Sequence, residues 1–170
     1  MTVDDDPLNS FQDPDFQELL GGIDITLVIR FFNYFSRFEY ALKRINFKKT
    51  DRRNYLIGAD WSRYATDDTR PLYPTGNRNV DRAVEYLCQQ PVKQQRHDFS
   101  WEDKPPIEPH SLAEALKQIP YIRNNLFHGG KDLRPAPVRD EKLLKYSIYL
   151  MQLCLITDNQ LSEYFNTIHR

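Results

Sequence analysis

The chain has 170 residues, of which 40% are hydrophobic, 13% aromatic and 28% charged, a size and balance that suit one globular domain and exclude a disordered chain. Its formal net charge is -1, so it is no polycation, and any nucleic-acid binding must come from local charge. Its two cysteines, Cys88 and Cys154, make no Cys-x-x-Cys pair, which excludes a disulfide framework and a zinc knuckle and fits a reducing cytosol.

Residues 1–22 read as an acidic N-terminal arm, carrying Asp4, Asp5, Asp6, Asp13, Asp15 and Glu18 and broken by Pro7, Pro14 and the Gly21-Gly22 pair. The stretch PDFQELL predicts a short helical turn within it. The start lacks an apolar core, so no signal peptide is expected. No apolar run approaches the ~20 residues of a membrane span. A cytoplasmic protein without membrane contact is the expectation.

From residue 23 onward the chain reads as a single helical domain, with an inserted segment at about 50–110. Residues 23–47 predict its clearest helix. Val28, Phe31, Phe35, Phe38, Leu42 and Ile45 recur at steps of three and four, the spacing of one buried stripe. Leu27, Tyr34 and Ala41 widen that stripe. The basic last turn, Lys43 and Arg44, suits the helix dipole. Within 50–110, YLIGADWSRYA predicts one short helix and VDRAVEYLCQQ another. KPPIEP predicts a rigid connector.

Ser111 and Glu114 form the Ser-x-x-Glu pattern of a capping box, so a helix is expected to begin there. Gly129 and Gly130 stop it, and Pro120 predicts a kink inside it. A last long helix is expected from about Asp140 to Thr167, central in a bundle because YSIYLMQLCLI is apolar nearly all round. No series of strands is read. The expected architecture is all-α, a bundle of about four main helices plus short extra ones.

The stretch IRNNLFHGG carries the chemistry. At about 100° per residue, Leu112, Leu116, Ile119 and Leu126 fall within about 80° of one another, and Arg123 falls inside that arc. A guanidinium there needs an acidic partner, a solvated cleft or an anionic ligand, because an unpaired buried charge costs several kcal/mol. Glu39 borders the stripe of the first long helix. It either reaches Arg123 between helices or makes a surface i,i+4 pair with Lys43. His128 follows at the mouth of the helix, where the glycines turn the backbone. Asn124 and His128, at i and i+4, share a face. Histidine moves protons near neutral pH, and arginine is the fork that fits phosphate. The plain structural alternative is a histidine that favours the helix dipole and an arginine that snorkels from a packed face.

Arg123-Asn124-Asn125-Leu126-Phe127-His128 resembles the Arg-x(4–6)-His signature of the HEPN superfamily, with Asn124 at the polar position after the arginine. FFNYFSRFEYALKR resembles the first long helix of such domains, with Glu39 as the supporting acid. The resemblance covers 23–47 and 111–167. It implies an α-helical bundle and a metal-independent endoribonuclease of the toxin–antitoxin or antiviral-defence kind, with no cofactor. The enzyme would work as a homodimer whose two motifs share one cleft, with an antitoxin or regulatory protein as a further partner. RNA would be cut by its own 2′-hydroxyl, leaving a 2′,3′-cyclic phosphate. His128 would serve as base or acid, Arg123 would stabilise the phosphorane, and Asn124 would orient them. Gly130 stands where one subset of the family carries a tyrosine that a partner nucleotidyltransferase modifies. Lys131, Arg134 and Arg139, just past the motif, are candidate RNA-backbone contacts. So are Arg44 and Lys48 in KRINFKKTDRRNY, where bases alternate with Phe47 and Tyr55. The alternative for both groups is a solvated face. His97, His110, His128 and His169 show no metal-ligand spacing, and no Walker or dinucleotide glycine pattern occurs. Two other functions fit the same residues: a non-catalytic HEPN module holding RNA or a nucleotide, and a helical domain that binds a protein partner.

Overall fold

The computed structural model describes residues 11–127 and 135–167. It is mainly helical. In chain order the elements are α1 (Phe16–Leu19), α2 (Ile25–Arg44), β1 (Lys48–Thr50), β2 (Leu56–Ala59), α3 (Trp61–Ala65), α4 (Arg78–Gln89), β3 (Gln94–Gln95), β4 (Trp101–Glu102), α5 (Leu112–Phe127), α6 (Pro137–Thr157) and α7 (Asn159–Asn166).

Helix α2 follows its periodicity. Leu27, Phe31, Phe35, Phe38, Ala41 and Leu42 are buried, while Val28, Tyr34 and Ile45 are half-buried against the same core. Its start is held by Asp24, whose carboxylate accepts from Thr26 N at 2.9 Å. Helix α6 is central as expected. It packs on α2, α4, α5 and α7, and it buries residues from Leu143 to Cys154. The short helix expected in PDFQELL is α1, and the one expected in VDRAVEYLCQQ is α4. Helix α5 starts after Ser111, whose hydroxyl accepts from Glu114 N at 3.1 Å. The Glu114 carboxylate turns instead to Lys117, at 2.7 Å. Pro120 lies inside α5.

Three expectations are corrected. YLIGADWSRYA is not one helix: Leu56–Ala59 pairs antiparallel with Lys48–Thr50, with a register shift between Lys49 and Thr50, and only Trp61–Ala65 is helical. A second small antiparallel pair joins Gln94–Gln95 to Trp101–Glu102, so the architecture is mostly rather than wholly helical. The long C-terminal helix is also two. Asp158 leaves helical geometry and caps α7, accepting from Leu161 N at 3.0 Å.

The same aspartate anchors a largely buried ion pair. Asp158 Oδ2 lies 3.0 Å from Arg70 Nη2, with side chains 13% and 9% exposed. Arg70 also donates to the Tyr64 hydroxyl at 2.5 Å, and its guanidinium lies 4.3 Å from that ring's centroid. Burial raises the Tyr64 phenol and pushes the Cys154 thiol up to about 11. Cys88 is raised by burial too. Neither cysteine is therefore a thiolate nucleophile near neutral pH.

Candidate functional site

Arg123 sits on the last full turn of α5 and is half-buried. The buried arc of α5 includes Ala115 and Ile122 besides the four leucine and isoleucine positions of the sequence stripe. That extension shifts the centre of the arc by a few tens of degrees and leaves Arg123 near its margin. Its guanidinium carbon lies 5.7 Å from the Phe35 ring centroid, and Nη1 donates to Asn124 Oδ1 at 3.1 Å. The arginine is thus held by an aromatic ring from α2 and by its own neighbour. Asn124 is exposed. Asn125 does different work: its amide donates to the Lys93 carbonyl at 2.5 Å, tying the end of α5 to the chain that follows α4.

Glu39 is half-buried on α2 and accepts from Trp61 Nε1 at 2.9 Å. Trp61 stacks on Phe35 at 5.6 Å and on Phe38 at 5.1 Å. Glu39 and Arg123 therefore meet the same aromatic cluster from two sides of the chemistry: one holds the indole, the other lies by the Phe35 ring. Replacing Trp61 with phenylalanine keeps the stack and strands the carboxylate. We expect a loss of about 1–2 kcal/mol in urea unfolding; an unchanged midpoint would show that the bond contributes nothing.

Both residues line a wide groove between α5 and the chain that joins α4 to α5. The described bases along it are Lys49, Lys93, Lys104, Lys117 and Arg123, and the described acids are Glu39 and Glu114. Sequence reading missed Lys93, Lys104, Lys117, Tyr121 and Trp61. The signal that was there to find is a polar stripe on α5, in which Lys117, Tyr121 and Asn124 recur at steps of four and three.

Other expected contacts fall elsewhere. Arg44 is exposed and lies over the Tyr164 ring of α7, 5.1 Å from its centroid. Lys48 alternates in β1 with Lys49, and it is Lys49 that lines the groove. Arg139 donates to the Pro91 carbonyl at 3.0 Å. Phe47 packs edge-on against Tyr64 at 5.2 Å instead of offering a stacking face, whereas Tyr55 is exposed. His128, Lys131 and Arg134 lie outside the described residues, as do Gly129, Gly130 and His169. Among the described residues no group of three or more His, Cys, Asp or Glu side chains is placed to hold a metal ion, and no helix is long and apolar enough to cross a membrane.

Comparison with protein-family models, with curated proteins and with solved structures finds no match to this chain.

Proposed function

We propose that this chain is a metal-independent endoribonuclease of HEPN type, acting in the cytoplasm as a toxin or defence effector. The observation that carries the reading is Arg123: a permanent cation set beside Phe35 and hydrogen-bonded to Asn124 on the wall of a groove rich in lysine. A guanidinium on that wall brings a permanent positive charge to an anion that enters the groove. In the proposed reaction the 2′-hydroxyl of the substrate gives up its proton to a base and attacks the adjacent phosphorus. The 5′-oxygen leaves and takes a proton from an acid. His128 would fill one of these roles, with the same residue of a second copy filling the other across a shared cleft. Arg123 stabilises the charge on the non-bridging oxygens as they become equatorial in the phosphorane. Asn124 fixes the guanidinium in plane. Glu39 acts at one remove, by holding Trp61 against Phe35.

The test is labelled single-stranded RNA with purified protein in excess chelator, beside the His128→Ala variant. Cleavage by the wild type with 2′,3′-cyclic phosphate ends, lowered about 10²-fold or more in the variant, is the expected result for loss of a general base or acid. Equal cleavage by both removes His128 from the reaction. DNA, which lacks the attacking hydroxyl, is expected to stay intact.

A further inference from the structure

We infer that the groove between α5 and the chain that joins α4 to α5 is a binding path for single-stranded RNA that leads to Arg123, an inference that rests on the ribonuclease reading above. Charge comes first. The chain as a whole carries -1, yet the described ionisable side chains lining this groove are five bases and two acids. Lys117 is paired with Glu114 at 2.7 Å. Lys93 reaches Asp103 at 2.8 Å, an aspartate whose side chain is 80% exposed, and Lys49 lies 3.7 Å from Asp60. The Lys93 and Lys49 pairs, each with a well-exposed member, are weakly held and screened by salt, so a phosphate can take the place of the carboxylate at these two lysines. Lys104 lies 5.7 Å from the centroid of the Tyr121 ring.

Stacking comes second. Tyr121 is 56% exposed and lines the groove about one helical turn before Asn124 and two residues before Arg123. Aromatic rings spaced along a basic channel are what unpaired bases use, and a duplex cannot offer them. Amide side chains from Gln94, Gln95, Gln118 and Asn124 line the same groove and supply both donors and acceptors for base edges. An acidic peptide would use the lysines but would gain little from an exposed tyrosine ring. These observations favour a nucleic-acid strand as the occupant.

Binding and cleavage are measured separately. Binding uses the full chain with His128→Ala, so that the strand survives, and a short unstructured labelled RNA titrated between about 50 and 200 mM salt. Adding Lys104→Ala and Lys117→Ala together is expected to weaken binding about tenfold and to flatten the log–log salt slope by about 1.4, at ~0.7 per phosphate contact on a single strand. Tyr121→Ala is expected to weaken binding by about tenfold with the slope unchanged. The melting temperature of each variant is checked against its parent, and Lys104→Glu, at an exposed position, repeats the charge test alone. Unaltered affinity and slope in the lysine variants overturn the path, as does a polyglutamate peptide that displaces the RNA at equal charge. If the wild type fails to cleave while these variants still lose RNA binding, the catalytic reading falls and the groove assignment stands.

Discussion

Arg123→Lys is expected to lower RNA cleavage by about 10²-fold or more while leaving the fold intact. Lysine keeps the charge, so long-range attraction to the strand survives. It loses the planar fork, and with it the geometry that the Asn124 carbonyl and the Phe35 ring impose on the guanidinium. An ammonium is a point charge without the coplanar pair of N–H groups that grips two non-bridging oxygens side by side. The defect should therefore fall on kcat more than on KM, the pattern of an interaction that is made only in the transition state. Arg123→Ala is expected to fall further and also to weaken RNA binding. Phe35 and Leu126 are buried on neighbouring helices, so some stability is lost as well, and the lysine variant is the cleaner probe. Cleavage by Arg123→Lys within about a factor of three of wild type would mean that the fork plays no part in the reaction.

Asp158→Ala is expected to cost about 3–5 kcal/mol, because it leaves the Arg70 guanidinium buried without its counter-charge. Against the usual 5–15 kcal/mol of a folded domain, this is a large share, and it corresponds to a fall in Tm on the order of 10 °C for a chain of this length. Two roles are joined in this one side chain, and Asp158→Asn separates them. Asparagine keeps the α7 cap, since its amide oxygen still accepts from Leu161 N, but it removes the charge. More than half of the loss should persist in the asparagine variant. Adding Arg70→Met to it should restore part of the stability, because then no charge is left in the interior. A loss below about 1 kcal/mol in Asp158→Ala, read by urea denaturation, would place this pair with ordinary surface bridges.

The parts of the fold that were legible in the sequence are those governed by one-dimensional period. Helix α2 follows its stripe from Leu27 to Leu42, and α5 begins where Ser111 announces a cap. The strands escaped because they bury almost nothing: Lys48–Thr50 is exposed throughout, and only Ala59 at the end of its partner is buried. No alternation of apolar and polar residues was there to read. The break after Thr157 escaped because neither glycine nor proline marks it. What marks it is Asp158, a good N-cap set between two apolar runs, and an aspartate inside a helical pattern is as readable a restart as a glycine is a stop. The site divides in the same way. Arg123 stood out as a cation on an apolar stripe. The groove walls from residues 91–95 and 104–107 did not stand out, because tertiary packing alone brings those residues to α5. Their two lysines, Lys93 and Lys104, come from separate stretches of chain and show no helical or strand spacing.

The Asn125 amide that donates to the Lys93 carbonyl gives the groove a stitch. One turn of helix carries both that stitch and Arg123, so this end of α5 is tied to the residue that leads into β3. A further hydrogen bond, from Ile107 N to the Cys88 carbonyl at 2.9 Å, fastens the connector to the end of α4 in the same manner. Both fastenings end on uncharged backbone carbonyls, so they should be indifferent to salt even as whatever enters the groove is not.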